Sequence, residues 1–283
     1  MLRAPRRRSD TQQWGSALWE FRQTLRAAQL GVAPAVHHAC YARHAAGEWT
    51  SGLYLVMDRY QCTLEEAICN DGNRREALLR DDGALAKRIA AQIVDGLVKL
   101  ADDLMFVYDL KPSNIVVYVD VQKDDVRARI VDFGRDFCEW DTRRCDPTAR
   151  TPILTGLRTL VEGREKARAE RGETPCDVDA IVRHVLFATM LVQLASTSTY
   201  NLYEDRDRHR LGAPERATAN LFAPYARKLL DSMQGGNIAL VRWVLRCDDV
   251  RGVMRHYHGR RNSGTARCLS LARGVESFAV GAC

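Results

Sequence analysis

The sequence predicts an α+β protein built on a hydrophobic core, and three observations carry that expectation. Of its 283 residues, 46% are hydrophobic and 28% charged, the balance of a globular chain rather than a disordered one. Two long stretches repeat apolar residues at steps of three and four, the helical period. Around them run short β-branched segments bounded by turn residues. A chain of this length forms one large domain or two small lobes.

The first thirteen residues, with Arg3, Arg6, Arg7 and Arg8, read as a loose basic tail. Residues 14–30 read as a helix, because Trp14, Leu18, Phe21, Leu25 and Ala28 fall on one face; Gly31 ends it and Pro34 follows. Residues 36–43 and 53–57 read as strands, with Gly-Glu-Trp-Thr-Ser-Gly between them as a turn. Thr63 and Glu66 have the spacing of a capping box that opens a short helix. Residues 83–104 form a longer helix with Ile89, Ile93, Leu97, Leu100 and Leu104 on one face. Residues 109–114 are a polar loop containing Pro112. Residues 115–119 and 126–131 are β-branched runs separated by Gln122-Lys123-Asp124-Asp125, and they read as a hairpin. Four more helices are expected near 153–168, 178–195, 219–233 and 237–256, with little pattern after Arg260.

Composition excludes some function classes. The net charge is +6, too mild to call by itself for nucleic acid. There are six lysines, the first at Lys87, and every other basic side chain is Arg. Nine cysteines contain no Cys-x-x-Cys pair, so a zinc ribbon or thioredoxin-type site is not signalled. His256 and His258 lack a further ligand at useful spacing and read as surface histidines. The most apolar run, residues 185–195, is shorter than the ~18–20 residues of a membrane span. No charged-then-apolar leader opens the sequence. An intracellular setting, cytoplasmic or nuclear, with reduced thiols is therefore expected.

The chemistry concentrates in Tyr108-Asp109-Leu110-Lys111-Pro112-Ser113-Asn114 and in Val131-Asp132-Phe133-Gly134. A long helix leads into a loop with Asp, Lys and Asn in close succession. The hairpin follows, and a second Asp stands at its end. Because a hairpin returns to its starting point, Asn114 and Asp132 should meet. An amide oxygen and a carboxylate together suit Mg²⁺, which takes hard oxygen ligands and keeps several waters. Asp109 and Lys111 would flank a phosphate held there, and Gly134 would permit a tight turn away from it.

With these residues in this order, the sequence resembles the protein-kinase superfamily. The family's catalytic loop is His-Arg-Asp-Leu-x-x-x-Asn and its metal motif Asp-Phe-Gly. Leu110-Lys111-Pro112-x-Asn114 is similar to the serine/threonine form. The run from Asp132 to Cys138 is similar in style to kinase-like proteins of large DNA viruses. Upstream, Tyr54 to Tyr60 and then Thr63 to Glu66 resemble the fifth strand, the hinge and the first helix of the second lobe. The resemblance implies Met57 as gatekeeper, the Asp58 C=O and Tyr60 N–H as partners of the adenine edge, and Val116 beneath the ring. It implies ATP and Mg²⁺ as cofactors, Asn114 and Asp132 as metal ligands, and Asp109 and Lys111 as catalytic residues. The implied fold is bilobal: a reduced N-terminal lobe with hinge over 14–60, a mainly helical C-terminal lobe over 61–260, and tails at 1–13 and 261–283.

The sequence departs from the family in three places. Thirteen residues precede the helix at 14, too few for three strands, and they contain neither Gly-x-Gly nor Lys. Glu20, in the place of the helix glutamate, thus has no upstream lysine. Val107 and Tyr108 replace the loop His and Arg. Ala213-Pro214-Glu215 stands some eighty residues downstream of the Asp-Phe-Gly motif and reads as coincidence. Two functions follow: transfer of the ATP γ-phosphoryl group to a Ser or Thr hydroxyl of a protein, or a pseudokinase-like module that binds a partner protein. The absent strands would alternatively belong to sequence upstream of Met1.

Overall fold

The computed structural model describes residues 2–3, 8–42, 52–69, 72–120, 122–134, 138–141, 152–195 and 213–247. The chain begins with β1 (Leu2–Arg3), α1 (Arg8–Gln29), β2 (Val36–Ala42) and β3 (Gly52–Met57). The three strands form an antiparallel sheet in the order β1-β3-β2. This corrects the expectation of a basic tail to residue 13. Leu2 and Arg3 pair with Leu53 and Gly52, and the helix starts at Arg8. The turn Arg8-Ser9-Asp10-Thr11-Gln12-Gln13 is helical without an apolar stripe, so periodicity had nothing to report there. The predicted turn at 47–52 lies mostly outside the described residues.

α1 ends as its glycine predicts. Gly31 takes φ +70°, and its N–H meets Ala28 O at 2.9 Å while Val32 N–H meets Ala27 O at 2.9 Å. That pair of bonds is the Schellman closure. The buried stripe of α1 carries Ala17, Gln23, Thr24 and Ala27, which corrects the expected face: Leu18 is 46% exposed, and Phe21, Leu25 and Ala28 are only partly buried. On its flank Arg26 donates twice to Asp103, at 2.8 and 2.5 Å, with its guanidinium 5.9 Å from the Trp140 ring centre.

β4 (Cys62–Thr63), α2 (Leu64–Cys69) and α3 (Gly72–Asp102) follow. The capping box forms: Thr63 N–H donates to Glu66 Oε2 at 2.8 Å, and Glu66 N–H to Thr63 Oγ1 at 3.1 Å. α3 is broken by non-helical backbone from Arg80 to Gly83, with Asp81, Asp82 and Gly83 at positive φ. Its second half is the predicted helix, and its first half was not foreseen.

β5 (Met105–Val107) leads to a 3₁₀ turn at Pro112–Asn114, then β6 (Ile115–Asp120) and β7 (Asp125–Ile130). β6 and β7 form the expected hairpin in unbroken register from Ile115↔Ile130 to Asp120↔Asp125. β4 pairs with the other side of β6. Ile115, Val117, Val119, Val126, Ala128 and Ile130 face the core. The outer edge of β7 is covered rather than open. Gln92 Nε2 donates to Val126 O at 2.8 Å, Ala128 N–H to Gln92 Oε1 at 2.9 Å, and Ile130 N–H to Val32 O at 2.9 Å.

β8 (Cys138–Trp140) pairs with β5. The rest is helical: α4 (Pro152–Glu170), α5 (Val178–Ala195), α6 (Ala213–Ser232) and α7 (Gly235–Arg246). Ala213-Pro214-Glu215 opens α6, where a first-turn proline costs no helical hydrogen bond. α7 stops at Arg246, because Cys247 is extended; the remainder of the predicted helix, with His256 and His258, lies outside the described residues. The architecture is thus mixed, mainly helical with small antiparallel sheets. α5 corrects the expectation that no apolar run reaches span length, since its 18 residues pass by length and composition. It packs mostly buried, with Val185, Leu186, Met190 and Leu194 all fully buried, while Ala180 and His184 near its start are exposed. No disulfide joins cysteines among the described residues.

Candidate functional site

The hairpin brings its two polar ends together. Asn114 closes the 3₁₀ turn, its N–H donating to Lys111 O at 2.9 Å, and its own carbonyl accepts Val131 N–H at 2.9 Å. That last rung holds Asp132 beside Asn114. Asn114 Nδ2 lies 3.4 Å from Asp132 Oδ2, 3.3 Å from Asp109 Oδ2 and 3.0 Å from Asp109 O. Lys111 Nζ pairs with Asp109 Oδ2. Asp109, Lys111, Asn114 and Asp132 therefore form one contiguous cluster.

Asp132 has φ +70°, a left-handed conformation that Asp tolerates better than most residues but that still costs about 1–2 kcal/mol. Strain of this kind collects at sites where orientation matters. The following Phe133 is fully buried and anchors the turn. Burial, then the neighbouring Asp109 charge, push the Asp132 carboxyl above the usual carboxylate range; Lys111, the Gly134 N–H and Asn114 temper this.

Val107 and Tyr108, which stand in place of the loop His and Arg, are core residues at 1% and 2% exposure. The Tyr108 ring meets Phe106 edge-on at 4.7 Å. They pack under the loop instead of reaching out from it.

The predicted hinge residues lie on the crossing from the first sheet to the second. Met57 pairs with Val36 and is 36% exposed. Asp58 N–H donates to Ala35 O at 3.0 Å, and its carboxylate meets His37 Nε2 at 2.6 Å. Gln61 ties the crossing to β6, through its N–H to Val117 O at 3.1 Å and its Oε1 to Val119 N–H at 2.9 Å. Among the described residues, the Asp58 C=O and the Tyr60 N–H have no hydrogen-bond partner. Val116 sits half-buried on the outward face of β6, paired with Thr63 and with Arg129.

The Glu20 carboxyl on α1 is pushed up by burial and then by the Asp132 charge. Sequence reasoning singled out Glu20 but not this influence, because it acts between residues more than a hundred positions apart.

Among the described residues no three His, Cys, Asp or Glu side chains are grouped to cage a metal. Mg²⁺ does not require such a cage, since one or two protein oxygens, waters and phosphates suffice. The donor set fits that mode. Two carboxylates of like charge, Asp109 and Asp132, flank the Asn114 amide beside one lysine. A half-turn of the Asn114 amide, whose oxygen and nitrogen are interchangeable in position, would set its oxygen beside Asp132. No protein-family model matches the chain, and no curated protein matches it significantly.

Proposed function

We propose that the chain is a kinase-like phosphotransferase, with a reduced N-terminal lobe and a mainly helical C-terminal lobe, that moves the ATP γ-phosphoryl group to a Ser or Thr hydroxyl of a protein. One observation carries this reading: the junction of Asp109, Lys111, Asn114 and Asp132 at the root of one hairpin. Bound Mg²⁺·ATP supplies the phosphoryl group and the charge neutralisation between its phosphates. Asn114 and Asp132 hold the metal. Asp109 orients the attacking hydroxyl and accepts its proton. Lys111, which covers Asp109 in the free protein, moves to the γ-phosphoryl oxygens as negative charge gathers there. Met57, the Asp58 C=O, the Tyr60 N–H and Val116 receive the adenine.

A second reading, a pseudokinase-like module that binds a partner protein, is favoured by Glu20. Burial and then the Asp132 charge push its carboxyl up, and none of the residues from Met1 to Arg22 is a lysine that would offset them.

Two measurements decide between them. Mg²⁺·ATP at about a hundred times its Kd should stabilise the protein by about 2.7 kcal/mol, seen as a thermal shift that Asp132→Asn abolishes. Asp109→Asn should leave that shift unchanged and lower radiolabelled phosphate transfer by roughly 10²–10⁴-fold, the range for a positioned general base. A parent that binds nucleotide but transfers no more than Asp109→Asn would establish the second reading. A parent with no thermal shift would remove the nucleotide site.

A further inference from the structure

The outward face of the hairpin carries a cation that the proposed reaction leaves unused. Alternation along β6 and β7 sends Val116, Tyr118, Arg127 and Arg129 away from the core. Register sets Arg129 opposite Val116 and Arg127 opposite Tyr118. The two arginines differ in their partners. Arg127 lies 4.6 Å from the Tyr118 ring centre and 3.6 Å from Asp125 Oδ2. Arg129 is half-buried, and its one side-chain hydrogen bond among the described residues runs from Nη1 to the Ala128 carbonyl of its own strand, at 2.8 Å. A guanidinium removed from water without a counter-charge is costly, and an anion relieves that cost.

Its place on the sheet says which anion. One strand repeat, ~6.6 Å for two residues, separates Arg129 from Val131, the neighbour of Asp132. Across the ladder it adjoins Val116. On the hinge side the charges of Arg129 and Arg127 act on the Tyr60 hydroxyl, partly offsetting the rise that burial gives it. Arg129 thus stands beside the proposed base subsite, one strand repeat from the proposed metal subsite.

We propose that Arg129 binds the phosphate chain of a nucleoside di- or triphosphate, giving the cleft a cationic contact from β7 where no lysine precedes Lys87. This rests on the phosphotransferase reading. It predicts that affinity for ADP and ATP depends on residue 129, whereas affinity for adenosine does not. Arg has the planar fork that suits phosphate oxygens, and Lys keeps the charge without the fork.

The test is calorimetric titration of the full chain with Mg²⁺·ATP, ADP and adenosine. Arg129→Ala should weaken ATP and ADP about tenfold or more, the scale of a charge-assisted hydrogen bond, and leave adenosine within about twofold. Arg129→Lys should recover part of the loss. Arg88→Ala removes equal charge beside the hairpin turn, where Arg88 bonds Asp124, and should change nothing. Should Arg129→Ala unfold, Arg129→Gln replaces it. ATP affinity that survives Arg129→Ala in a parent that binds ATP overturns this inference alone. So does an equal loss for adenosine, or an equal loss from Arg88→Ala. A parent that binds none of the three ligands overturns the phosphotransferase reading and this inference with it.

Discussion

Asp132 joins two costs in one residue: a left-handed backbone and a carboxyl pushed up by burial and by Asp109. The linkage has a definite sign. Between its ordinary value of 3.8 and its raised one, folded Asp132 keeps a proton that the unfolded chain has released. Stability is therefore lost as pH rises through that window. Asp132→Asn removes the charge while Asn accepts the same backbone conformation and still takes the Gly134 N–H. It should raise the melting temperature of nucleotide-free protein at pH 7.5, by a margin that closes as pH falls below 4. A constant margin across pH would assign the effect to packing rather than charge. Which residues form the polar cluster was legible in the sequence, since Asp109, Lys111, Asn114 and Asp132 stand in close order at the two ends of a hairpin. That the Asp132 charge reaches Glu20, and that Arg129 stands directly opposite Val116, was not. Periodicity assigns a residue to a face but does not say what the face meets.

Local elements were read best where their chemistry is local. The capping box of α2 joins residues three apart, so its spacing in the sequence is its geometry. Thr63→Ala should cost about 1 kcal/mol, measured as a lower urea midpoint with an unchanged slope. Gly156 tests packing that no spacing reveals. It lies within α4, where Ala would ordinarily gain up to about 1 kcal/mol of helix propensity. An added Cβ would come within 2.8 Å of Trp243 Cη2 on α7. Overpacking costs about 1–3 kcal/mol, so Gly156→Ala should lower the melting temperature, and a rise would mean that Trp243 has room to retreat. The end of α7 at Arg246 and the start of α1 at Arg8 were misplaced for one reason. Polar turns extend or close a helix without disturbing its apolar period.

Across the whole molecule, α1 is tied to the helical body by few long-range links. The Arg26–Asp103 fork spans 77 positions, and the side chains are 37% and 17% exposed. Charge-assisted bonds of this type contribute about 1.5–3 kcal/mol, and exposure places this pair toward the lower end. Arg26→Ala should lower the denaturant midpoint and speed amide exchange in α1 ahead of α5, which is mostly buried. Uniform acceleration in both helices would show that α1 opens only with global unfolding.

The sequence by itself determined the helices with an apolar stripe, the hairpin, the caps and the identity of the polar cluster. These depend on neighbours within a few residues or on a hairpin that must fold back on itself. Only the tertiary structure decided that residues 2–3 join the first sheet, that α5 packs mostly buried against its neighbours, and that Gln92 and Val32 seal the edge of β7. It also decided that the Asp132 charge reaches Glu20 on α1 and that Arg129 faces outward opposite Val116. Each of these pairs distant segments through burial and backbone hydrogen bonding, which no local pattern of residue types specifies.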